Sequence, residues 1–107
     1  MHLNEYADKA RRTDFKTSIH GNDWLYYALG LVGETGEIAE KIKKAYRDNN
    51  GEIDKELMKL EISDVLWYTA MLSEHLGFTL EEVAQANIKK LEDRMARGQI
   101  HGSGDKR

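Results

Sequence analysis

The sequence predicts an all-α protein, a bundle of about four helices in a single domain, completed by oligomerisation. Three observations predict it. The 107 residues include no proline, so the strongest helix breaker is missing. Apolar residues recur at three- and four-residue steps along much of the chain. No stretch sustains the two-residue alternation of a strand, and β-branched residues do not cluster. A chain of this length builds one core of modest size, which contact between copies would enlarge.

A first, weak helix is expected over residues 3–12, followed by a polar, irregular stretch over 13–21. Asn22 or Asp23 is expected to cap a long helix over 24–47. Asp48-Asn49-Asn50-Gly51 reads as a turn. A third helix is expected over 54–75, and Gly77 suits a left-handed exit from it. Thr79 and Glu82 have capping-box spacing at the start of a fourth helix that ends near Arg97. Residues 98–107 carry three glycines and read as a flexible basic tail.

Composition excludes several functions. With no cysteine there is no disulfide, thiolate metal site or cysteine nucleophile. No run approaches the roughly 18 apolar residues of a membrane span. The first residues lack the basic-then-apolar pattern of a signal peptide. The expectation is a cytoplasmic protein with neither a membrane nor a nucleic acid as partner, and the formal net charge of −3 agrees with the latter. That charge is unevenly spread: residues 1–87 balance at −6 and residues 88–107 at +3.

The third helix carries the most informative pattern. Leu57, Leu60, Val65, Met71 and Leu72 define an apolar stripe, and Glu61 and Asp64 lie within it. Ile62, Leu66 and Thr69 occupy the other side, so this helix is expected to be mostly buried. Adjacent carboxylates near a core repel each other and lose hydration, so a positive partner must meet them. Arg or Lys from another helix is one answer, and a divalent cation is the other. On the second helix Glu34 and Glu37 are also three apart, and Glu40 repeats the spacing. Gly30, Glu34, Glu37, Lys41 and Lys44 form one seam. Antiparallel pairing of the two helices would bring the acidic pairs together, and hard cations such as Mg²⁺, with Mn²⁺ as a substitute, suit that oxygen-rich set. Gly30, Gly33 and Gly36 weaken the helix; they serve either close packing or room for a ligand.

Glu34-x-x-Glu37 followed after 23 residues by Glu61-x-x-Asp64 resembles the signature of the MazG-like, all-α nucleoside triphosphate pyrophosphohydrolases. The surrounding residues from Gly30 to Ile38 and from Glu61 to Tyr68 are similar to that family's two acidic helices. Asn87-Ile88-Lys89-Lys90-Leu91-x-x-Arg94 resembles a third motif, and the Gly102–Arg107 ending fits as well. The resemblance covers about residues 20–107 and points to the short, single-domain type. It implies hydrolysis of a (deoxy)nucleoside triphosphate to monophosphate and pyrophosphate, dependence on Mg²⁺, a role in nucleotide-pool control, and assembly as a homodimer or homotetramer. It implies metal ligation by Glu34, Glu37, Glu61 and Asp64. Glu40 departs from the pattern by adding a third acidic position to the second helix.

Attack by water at the α-phosphorus needs a proton acceptor, for which the sequence offers Glu34 or Glu37 without choosing between them. The triphosphate needs positive charge beyond the metal. Lys44 lies on the acidic seam, Lys90 and Arg94 match the third motif, and Lys106 and Arg107 end the tail; all five are candidate phosphate contacts. Tyr68, which matches a nucleotide-contacting tyrosine of relatives, is a candidate nucleoside contact with Asn87, Trp24 and His20. A ferritin-like di-iron bundle is disfavoured, because no Glu is followed three residues later by His. A non-catalytic helical oligomerisation or regulatory module is the competing reading; it accounts for the helices but not for Glu61 and Asp64 inside an apolar stripe.

Overall fold

The computed structural model describes residues 1–98, 101, 102, 104 and 105. Among the described residues there are four helices and no strand: α1 (Leu3–Arg11), α2 (Leu25–Asp48), α3 (Lys55–His75) and α4 (Leu80–Ala96). The fold is all-α, as its sequence predicts.

Local chemistry sets most of the helix ends. The Asp54 carboxylate accepts from the N–H groups of Glu56 (3.1 Å) and Leu57 (3.2 Å), satisfying two orphan donors of α3. Thr79 Oγ1 does the same for Glu82 N–H at 3.1 Å and opens α4. At the end of α3, Gly77 takes φ +91°. This lets Phe78 N–H reach the Ser73 carbonyl and Gly77 N–H the Glu74 carbonyl, the paired bonds of a Schellman exit.

The start of α2 corrects the expectation. Neither Asn22 nor Asp23 caps it; Trp24 sits at the N-cap without a side-chain cap bond. Asn22 is engaged elsewhere, its backbone exchanging hydrogen bonds with Ile19 across a turn that holds His20 at φ +51° and Gly21 at φ +77°.

Packing centres on α3. Helices α1, α2 and α4 all pack on it and α1 also meets α4, while α2 enters their shared core through Tyr27. Ala7, Ala10, Tyr27, Ala70, Met71 and Leu80 are buried together, with Tyr6, Tyr26, Trp67, Tyr68 and Leu72 packed around them. The arrangement is open: the radius of gyration is 16.6 Å, where a compact domain of this length has about 13 Å.

That openness overturns the expectation of a mostly buried α3. Met58, Ala70, Met71 and Ser73 are its buried residues. Leu57, Leu60, Ile62 and Leu66 are exposed. Leu29 and Val32 on α2 are exposed as well.

A polar clasp ties the α1–α2 connection to the far end of α3. Asp14 accepts from the Tyr27 hydroxyl, from His75 Nε2 (2.9 Å) and from Lys16 N–H (3.0 Å). Tyr27 stacks on His75 with ring centroids 4.3 Å apart. Burial works against the charge on Asp14, but the bonds from Tyr27, His75 and the backbone prevail and hold its carboxyl below the usual range.

Candidate active site

Helices α2 and α3 meet through a glycine. A Cβ on Gly30 would lie 2.1 Å from Tyr68 Cε1, so only a hydrogen there lets the ring rest on α2. Gly33 and Gly36 have nothing within 4 Å of an added Cβ. Close packing within the chain therefore accounts for one of the three glycines.

One turn from this contact, Glu34 of α2 meets Glu61 and Asp64 of α3. Each offers an oxygen, and all three oxygens lie within 4.8 Å of one another. The i, i+3 spacing places Glu61 and Asp64 on the α3 face that turns toward α2. Burial, then the charges of Asp64, Glu61 and Glu37, push the Glu34 carboxyl above its ordinary value.

Glu37, expected as a fourth ligand, lies outside the trio; it is exposed, near enough to act on Glu34 through its charge. Glu40 is turned away to Lys43 (3.0 Å) and Lys44 (3.8 Å), so the additional acidic position is neutralised along its own helix. Lys44 is thereby also committed to Glu40 here. Glu61 pairs with Lys41 at 3.4 Å.

Tyr68 stands at the edge of the trio. Burial, the neighbouring Tyr26 hydroxyl and the charges of Glu34 and Asp64 push its phenol up to about 12. The Tyr6 phenol of α1 is raised too, by burial and then by Asp64. Trp24 is exposed at the start of α2, ten residues or about 15 Å of helix before Glu34. His20 is exposed in the turn preceding it.

Among the described residues no ion pair joins Lys90 or Arg94 of α4 to the trio; both turn to Asp105 of the tail. Asn87 and Lys90 line a surface groove with Phe78, Glu82, Val83 and Ala86. Lys90 Nζ pairs with Asp105 of the tail at 3.0 Å. Arg94, only 4% exposed, reaches the same carboxylate at 3.2 Å and the Gly104 carbonyl at 3.4 Å. Its Nε is buried without a hydrogen-bond partner among the described residues. Lys106 and Arg107 lie outside the described residues.

Sequence reasoning did not single out Tyr26, Tyr6 or the Asp14–His75 pair. Tyr26 had a signal: Tyr26, Gly30 and Glu34 follow four-residue steps on one seam. The clasp had none, because His75 and Asp14 are 61 residues apart.

A helical hairpin that gathers three carboxylates around one point defines a class of acidic, cation-suited sites on an all-α scaffold. The comparisons make this specific. Residues 24–98 match the MazG nucleotide pyrophosphohydrolase domain, a span that holds the whole trio. The chain is also similar to the Gene 37 protein of Mycobacterium phage L5, 48% identical over 85 residues that cover 77% of this chain and 75% of that protein. No solved structure matches. The chain belongs to the MazG family of nucleotide pyrophosphohydrolases, whose members are typically metal-dependent. Among the described residues no helix is long and apolar enough to cross a membrane.

Proposed function

We propose that this chain hydrolyses a (deoxy)nucleoside triphosphate at the α-phosphorus, releasing the monophosphate and pyrophosphate, and that it serves nucleotide-pool control in the cytoplasm. The convergence of Glu34, Glu61 and Asp64 carries the reading. Three hard oxygen donors with a surplus of negative charge fit Mg²⁺, with Mn²⁺ as a substitute. When bound, such an ion neutralises phosphate oxygens and acidifies water.

The chain's own groups do the rest. Glu34, Glu61 and Asp64 hold the cation. In this reading Glu37, one turn along and outside the trio, accepts the proton of the attacking water. Tyr68, held on α2 by Gly30, offers a ring edge and a protonated hydroxyl to the nucleoside, with Trp24, His20 and Asn87 as further contacts. Lys44, Lys90, Arg94, Lys106 and Arg107 supply charge to the triphosphate.

Because Lys90 and Arg94 turn to Asp105 and not to the trio, they and Asn87 serve a trio on another copy in this reading. The exposed Leu29, Val32, Leu60 and Ile62 support a homodimer or homotetramer that would cover them.

The test is incubation of the purified chain with canonical and modified NTPs and dNTPs, with Mg²⁺ or with EDTA. Pyrophosphate and monophosphate are expected with Mg²⁺ only. Release of single phosphate, or no turnover of any nucleotide, would sink the reading.

A further inference from the structure

Among the described residues, Lys41 is the one cation in an ion pair with the acidic trio. Its ammonium lies 3.4 Å from Glu61 Oε1 and crosses from α2 to α3. The neighbouring lysines behave differently, since Lys43 and Lys44 both turn to Glu40 on their own helix. Lys41 also lines a groove of about 330 Å³ with Lys44, Asp48, Glu52, Asp54 and Leu57. One ammonium thus offsets one of three converging carboxylates, and Glu34 and Asp64 have no ion pair of their own among the described residues.

A lysine suits a temporary partnership. Its charge is compact and sits on a flexible four-carbon stem, so it can leave Glu61 without any backbone movement. The pair is partly open to solvent, with Lys41 40% and Glu61 19% exposed, so exchange is cheap. An ammonium and a divalent ion also repel each other, so they do not share the Glu61 oxygen.

We propose that Lys41 is the stand-in for the divalent cation. In the metal-free chain it holds Glu61 toward Glu34 and Asp64. When an ion takes those carboxylates, the ammonium is released from Glu61 toward the groove it shares with Asp48, Glu52 and Asp54. This rests on the reading of the trio as a cation site.

The test is Mn²⁺ titration of the metal-free chain, following free Mn²⁺ by electron paramagnetic resonance. Lys41→Met, which keeps the apolar stem and removes the competitor, is expected to bind Mn²⁺ about two- to fivefold more tightly. Lys41→Arg restores a wild-type affinity, and Glu61→Gln loses most of it. A mere helix–helix strut would lower the melting temperature of Lys41→Met and leave Mn²⁺ affinity unchanged. Unchanged or weaker binding by folded Lys41→Met, with Glu61→Gln still defective, overturns the role of Lys41 and leaves the cation site standing. No Mn²⁺ binding by the wild type, or wild-type binding by Glu61→Gln, overturns both. Should Lys41→Met fail to fold, the wild-type side chain answers: Mg²⁺ must shift the Lys41 ¹³Cε resonance, assigned by its absence in Lys41→Arg, and an unmoved signal refutes the exchange.

Discussion

Gly30 and Tyr68 interlock: three ring atoms of Tyr68 lie within 2.5 Å of the position a Cβ on Gly30 would occupy. Alanine there gains helix propensity worth about 1 kcal/mol but drives the ring off α2. Gly30→Ala is therefore expected to destabilise the chain by about 1–3 kcal/mol and to impair turnover. Gly33→Ala and Gly36→Ala meet open space and should stabilise by up to about 1 kcal/mol each. Urea denaturation of the three variants decides it. A loss at Gly33 or Gly36 would reveal a second copy packed on that face.

The trio predicts opposed effects on activity and stability. Asp64→Asn removes one of three mutually repelling charges, so the metal-free chain should keep or raise its melting temperature. Its Mg²⁺-dependent turnover should fall about 100-fold or more. A drop in stability matching the drop in activity would mean that Asp64 is structural.

Metal should stabilise the folded chain by mass action. At 100 times its dissociation constant, Mg²⁺ or Mn²⁺ adds about 2.7 kcal/mol. Thermal melts with and without EDTA should show this rise in the wild type and not in Asp64→Asn. Equal melts in the wild type would argue against the site.

Two carboxyls shape the acid side of metal-free stability in opposite senses. Glu34 is raised in the folded state by burial and by Asp64, Glu61 and Glu37, so its charged form destabilises at neutral pH. Stability should rise as pH falls through the folded Glu34 value toward the ordinary glutamate value. Asp14 is depressed, because its bonds to Tyr27 and His75 outweigh its burial. Its contribution is present above the ordinary aspartate value and is lost as pH falls through the folded one. Denaturant midpoints measured against pH should lose the rise in Glu34→Gln. Asp14→Asn should cost about 1–3 kcal/mol at neutral pH and flatten the steepest acid loss.

What the sequence disclosed depends on the range over which each cause acts. Asp54, Gly77 and Thr79 act within a few residues, so the bounds of α3 and α4 were legible. Asn22 was misleading because its backbone is engaged by Ile19, a pairing that composition does not announce. The trio was legible because i, i+3 spacing fixes a helix face whatever surrounds it. The burial of α3 was not, since an apolar stripe says nothing of what covers it, and in this fold Leu57 and Leu60 are left exposed. The engagement of Lys90 and Arg94 by Asp105 joins the tail to α4, and no local pattern encodes it.

The dependence of every other helix on α3 has a consequence for how the chain breathes. Residues of the core cluster join the start of α2 to α1, the far half of α3 and the start of α4, and the trio lies beyond them on the hairpin. The distal hairpin can therefore open without dissolving the core, as a separate unit of lower protection. Amide exchange should be fast from residue 37 onward in α2 and slowest around Ala70 and Met71. Glu34 and Asp64 lie next to the anchored Gly30–Tyr68 contact and Glu61 one turn further out, so an ion that bound all three would tie the looser end of the hairpin to the core.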